Sequence, residues 1–134
     1  MATLEKIEGI GSKYGKQLSK IGIKTTQALL KKGADPKGRQ EIEEASRISH
    51  KLILEWVNLA DLFRIKGVGE EYSDLLEEAG VDTVVEMAKR RADNLYQKVL
   101  EVSKAKKLVR RPPSEGMVAD WIAQAKKLPR VVKY

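Results

Sequence analysis

The segment IEGIGSKYGKQLSKIGIKT, from Ile7 to Thr25, returns as IKGVGEEYSDLLEEAGVDT, from Ile65 to Thr83, and this self-similarity constrains the fold more than any other feature. Ile7, Gly9, Gly11, Tyr14, Leu18, Gly22, Thr25, Ala34 and Asp35 reappear 58 positions later as Ile65, Gly67, Gly69, Tyr72, Leu76, Gly80, Thr83, Ala92 and Asp93. Conservative pairs fill the intervals: Ile10 with Val68, Ile23 with Val81, Leu29 with Met87. The chain therefore divides into two homologous halves, residues 1–61 and 62–134, the second ending in a short basic tail. Trp56 and Trp121 extend the correspondence at a spacing of 65, which puts a seven-residue insertion ahead of the second tryptophan. Its expected place is Arg110-Arg111-Pro112-Pro113, where consecutive prolines forbid a helix.

Inside each half the apolar period is helical. Tyr14, Leu18 and Ile21 follow one another at i, i+4, i+7, while Lys13, Lys16 and Lys20 line another face at i, i+3, i+7. Gly22 and Gly80 suit the left-handed position that ends a helix, and Thr25 and Thr83 suit the N-cap of the next. Asp35-Pro36 starts another helix, over Lys37 to Ser46, and Ser49 caps one that carries Leu52, Ile53, Trp56, Val57 and Ala60. No segment alternates apolar and polar residues for long enough to make a sheet. The class is all-α: two homologous helical-hairpin repeats packed in tandem.

At 134 residues the chain can build a modest core and no elaborate catalytic apparatus. The formal net charge of +7 and a pI near 9.6 suit a polyanionic partner, nucleic acid above all. Cysteine is absent, which removes disulfides, thiolate metal sites and cysteine nucleophiles together. No apolar run is long enough to span a bilayer, and MATLEKIEG lacks a signal-peptide pattern, so the expected setting is cytoplasmic, without membrane contact.

Chemistry is most readily placed at the Gly-hydrophobic-Gly turn. Gly9-Ile10-Gly11 opens a helix at Ser12, and the unpaired N–H groups of that helix end carry partial positive charge. Glycine lets a backbone approach closely, and Lys13 and Lys16, with Lys20 beyond them, are placed to reach flanking phosphates. These residues resemble the helix-hairpin-helix motif, with Gly9-Ile10-Gly11 and Gly67-Val68-Gly69 as the two hairpins. The resemblance implies that hairpin amides and nearby lysines grip DNA phosphates without reading bases. The nucleic-acid-binding residues expected from it are Gly9, Ile10, Gly11, Ser12, Lys13, Lys16 and Lys20. The second copy differs in charge. Lys13, Lys16, Lys20 and Lys24 face only Glu8 between Ile7 and Lys24, whereas Glu70, Glu71, Asp74, Glu77, Glu78 and Asp82 face only Lys66 between Ile65 and Asp82. Phosphate binding is expected at the first turn alone.

Through EWVNLADLFRIKGVGEEYSDLLEEAGVDT and KKLVRRPPS the chain is also similar, over essentially its whole length, to the family called domain of unknown function 4332. That resemblance implies a fold and a twofold repeat, and no activity. EIEEASRISHKLILEW resembles a helix-turn-helix, yet Arg47 stands where that motif prefers glycine and Glu43 where it prefers alanine. Its outward side chains, His50, Lys51, Glu55 and Asn58, are poorly suited to reading bases. Trp56, Trp121, Tyr14 and Tyr72 recur at equivalent positions on apolar faces and are expected to anchor the core.

His50 is the only histidine, and the acids of the second copy spread along one helix without a facing carboxylate set. The expectation is a non-enzymatic monomer with no catalytic residue, metal or cofactor. Its partner is nucleic acid, through the phosphate backbone of duplex DNA. The alternative is a protein-interaction adaptor that uses the acidic second turn and the basic segment Lys104, Lys106, Lys107, Arg110 and Arg111.

Overall fold

A computed structural model describes residues 4–7, 9–106 and 110–134. Glu8 and Lys107, both counted in the charge argument, lie outside the described residues. The described chain is all-helical, with no strand. A 3-10 turn, Leu4–Lys6, precedes α1 (Gly11–Lys20), α2 (Thr26–Lys32), α3 (Pro36–Ser46) and α4 (His50–Leu62). There follow α5 (Glu70–Glu78), α6 (Val84–Ala88), α7 (Ala92–Lys106) and α8 (Glu115–Lys127). No helix among the described residues is long and apolar enough to cross a membrane.

Helix ends are set by side chains that the sequence places there. Thr25 accepts a hydrogen bond from the Ala28 N–H at 3.0 Å, and Thr83 accepts one from Glu86 at 3.2 Å. Asp35 caps α3 through the Gly38 N–H at 2.7 Å, with Pro36 in the first turn, and Ser114 caps α8 through Met117 at 3.1 Å. Helices α1 and α5 stop in the same way. Gly22 and Gly80 take φ of +88° and +95°, and the N–H groups of Ile23 and Val81 reach back to Leu18 O and Leu76 O at 3.0 and 2.8 Å. One non-glycine adopts the left-handed region among the described residues. Arg47, at φ +63°, ends α3 at the place where a helix-turn-helix would prefer glycine.

The fold divides into two compact units, Met1–Asp61 with Val131–Tyr134, and Leu62–Arg130. In the first, Trp56 of α4 is 1% exposed and its ring centroid lies 5.1 Å from that of Tyr14 on α1, at an interplanar angle of 56°. In the second, Trp121 of α8 is 2% exposed and lies 5.2 Å from Tyr72 on α5, at 51°. Tilted aromatic pairs at this separation add to the stabilisation from buried area. Around them are buried Ile7, Ile10, Leu18, Leu29 and Ile53 in the first unit, and Ile65, Val68, Leu76, Met87 and Val118 in the second. Val131–Tyr134 cluster with the first unit.

Candidate nucleic-acid interface

The first turn is built from Ile7 to Gly11. Ile7 and Ile10 are buried, and the Ile10 N–H donates to Ile7 O at 3.3 Å, so the two apolar side chains pin the turn from inside. Between them Gly9, at φ +94°, places its Cα against the indole of Trp56. A Cβ there would stand 3.5 Å from Trp56 Nε1. Glycine is required there for the backbone sign, since 3.5 Å is an ordinary van der Waals contact for a Cβ. The second turn repeats this arrangement, with Gly67 at φ +96° and a Cβ position 3.1 Å from Trp121 Nε1.

The second glycine of each turn behaves differently. Gly11 takes φ +61° as α1 begins, whereas Gly69 is extended, φ −112° and ψ −156°, and serves as the N-cap of α5. Neither helix end receives a hydrogen bond from a capping side chain, in contrast to α2, α3, α6 and α8. First-turn amide donors at both ends thus lack a side-chain cap. What differs is the charge set beside them. The first turn of α1 holds no acid, while Glu70 and Glu71 stand in the first turn of α5. Carboxylates there complement the helix dipole that would otherwise favour a bound anion.

Of the residues expected at the first site, Gly9, Gly11, Ser12, Lys13, Lys16 and Lys20 are all exposed. Ile10 differs from these: at 1% exposure its side chain is part of the core and packs the turn from inside. Lys24 joins the group, because Lys16, Ser19 and Lys24 border one hollow of about 300 Å³ beside α1. The same hollow holds a residue that no sequence motif marks. The Glu5 carboxylate rests on Gly15, with Oε1 3.4 Å from where a Cβ would be, so an acid lies on the flank of the lysine row. Glu5 reaches α1 only because the Leu4–Lys6 turn folds onto that helix.

Within the second unit, the acidic helix meets the inserted segment. Lys106 pairs with Glu78 at 2.6 Å, and the Tyr72 hydroxyl donates to Arg111 O at 3.0 Å. Part of the basic segment is thus engaged with α5 instead of standing apart from it. In the helix-turn-helix candidate, Ile53, Trp56 and Val57 are core residues. His50, Lys51 and Glu55 are exposed, and Asn58 accepts a hydrogen bond from the Tyr134 hydroxyl at 3.0 Å. Among the described residues no cluster of His, Cys, Asp and Glu is arranged to hold a metal ion.

A separate groove of about 770 Å³ lies in the first unit. Its lining includes the apolar Ile21, Ile23, Ala28 and Ile42 and the charged Lys31, Lys32, Lys37, Asp35 and Glu41. Lys32 is paired with Glu41 at 2.5 Å, and that hydrogen bond with its charge holds the Glu41 carboxyl below the usual range.

No curated protein and no solved structure matches this chain. One family profile does, over residues 8–128, which takes in all eight α-helices, both glycine turns and both tryptophans. On that match the chain belongs to the family described as Domain of unknown function (DUF4332).

Proposed function

We propose that each half of the chain is a helix-hairpin-helix unit, and that the first binds the phosphate backbone of duplex DNA without reading sequence and without catalysing a reaction. The observation that carries this reading is the contrast at the two helix starts. The first-turn amides of α1 have no capping side chain and no first-turn acid beside them, with Lys13, Lys16, Lys20 and Lys24 exposed nearby. A phosphate at that end gains amide hydrogen bonds, the helix dipole and one or more ammonium groups together. At α5 the corresponding helix start is occupied electrostatically by Glu70 and Glu71. Gly9, Gly11 and Ser12 supply the close approach, and the lysines supply the charge.

The test is binding to short duplexes of unrelated sequence across a salt series. About three to five neutralised phosphates give a slope of log affinity against log salt of roughly −3 to −4.5. Two duplexes of different sequence should bind alike. Absence of salt-sensitive binding at low ionic strength would overturn the assignment.

A second reading, a protein-interaction adaptor, draws on the groove lined by apolar side chains and by charges of both signs. That combination suits a protein segment with apolar residues and charges of its own. Affinity capture with and without nuclease separates the readings, since partners that persist after nuclease treatment are proteins bound directly.

A further inference from the structure

Arg39 is a buried charge in the first unit with one guanidinium nitrogen unsatisfied. It is 2% exposed, and its guanidinium makes two hydrogen bonds, both to main-chain carbonyls: Nη1 to Gly33 O at 2.8 Å and Nη2 to Lys133 O at 2.7 Å. Its Nε is buried with no hydrogen-bond partner. A cation held in this way depends on each acceptor it has, and one of the two comes from residues 131–134. The same segment is held at three further points. The Lys133 N–H donates to Ala34 O at 2.7 Å, Val132 is buried at 3% exposure, and the Tyr134 ring lies 5.9 Å from the Arg39 Cζ while its hydroxyl donates to Asn58.

The seat therefore holds a peptide by its main chain at Lys133 and by one buried apolar side chain at Val132, with the Tyr134 ring, 63% exposed, at its edge. Lys133 itself is read through its N–H and C=O and not through its ammonium. Arg130, directly before the segment, clusters with the second unit. None of these interactions depends on which molecule supplies the peptide.

We propose that this Arg39 seat is a peptide-docking site, filled by Val131–Tyr134 of its own chain and open to the same segment of a second copy. Which copy occupies it is decided by mass action. A tethered segment acts at an effective concentration on the order of millimolar, so exchange between copies requires comparable protein concentration, or unfolding and refolding together.

The chain has no cysteine, which makes disulfide trapping clean. The 2.7 Å bond between Lys133 N and Ala34 O sets the two main chains side by side, the adjacency a disulfide needs. One full-length chain carries Ala34→Cys and another Lys133→Cys. Co-refolded at high concentration and oxidised, the mixture should yield a covalent heterodimer well above that from Lys98→Cys paired with Lys133→Cys. A chain carrying both Ala34→Cys and Lys133→Cys should close on itself at low concentration. Adding Arg39→Gln to the seat-bearing chain should lower the heterodimer yield by about tenfold or more, the weight of one charged hydrogen bond. The proposal is overturned if the mixed chains give no more heterodimer than the Lys98 control, or if Arg39→Gln leaves the yield unchanged. Failure of the doubly substituted chain to close overturns the seat itself.

Discussion

The two glycine turns share a skeleton and differ in charge, and the residues responsible for each property are separate. Gly9 and Gly67, Ile10 and Val68, Tyr14 and Tyr72, Trp56 and Trp121, and Thr25 and Thr83 do equivalent work in backbone sign, burial, ring packing and capping. Ser12, Lys13 and Lys16 become Glu70, Glu71 and Asp74, and those of the first turn point to water. Surface substitutions away from special features change stability little, so electrostatic character can reverse while the turn persists. The insertion fits this division. Helix α5 carries the acids, and Lys106, which leads into the longer connection of the second half, pairs with one of them.

The largest expected effect tests the shared skeleton. Trp56→Ala and Trp121→Ala should each destabilise by about 3–5 kcal/mol in denaturant unfolding, since each removes a fully buried ring. If one of them melts like wild type, the two halves are not equivalent inside. Next comes the charge difference. Lys13→Glu with Lys16→Glu should weaken duplex binding and flatten the salt slope by roughly 1.8 or more, one increment of about 0.9 for each phosphate no longer neutralised. Equal binding by this variant would remove the first turn from the interface.

The reciprocal exchange sharpens the comparison. Glu70→Ser with Glu71→Lys gives the second turn the residues of the first and should steepen the slope by about 0.9, while Glu70→Gln with Glu71→Gln should leave binding unchanged or stronger. Weaker binding in the glutamine variant would mean that the acids support the interface. The smallest effect separates the two second glycines. Gly11→Ser, at φ +61°, should cost about 1 kcal/mol. Gly69→Ser, at an extended N-cap with open space around it, should be neutral or stabilising by a few tenths of a kcal/mol. Equal losses would mean that the two turns share one conformation in solution.

Much of this is legible in the sequence because it is local. Gly22, Thr25, Asp35-Pro36 and Ser49 act on residues within one helical turn, and the repeat turns single readings into pairs. Core anchors are legible because a tryptophan recurring on an apolar face has few other uses. The burial of the Ile10 side chain is not legible in its motif, because a string of residues does not say which of them faces inward. Glu5 on Gly15, and Arg39 with residues 132–134, are not legible at all. Both are contacts across the chain, 94 residues apart in the second case, and no periodicity or spacing encodes them.

Each compact unit contains one tryptophan, buried against one tyrosine and one left-handed glycine. The protein is thereby supplied with two separately addressable fluorophores, one per unit, in near-identical surroundings. Replacing one indole by phenylalanine leaves an emission signal that belongs to the other unit alone. Comparing the two single-tryptophan chains through one unfolding transition would then reveal whether the repeats lose structure at the same denaturant concentration or in succession.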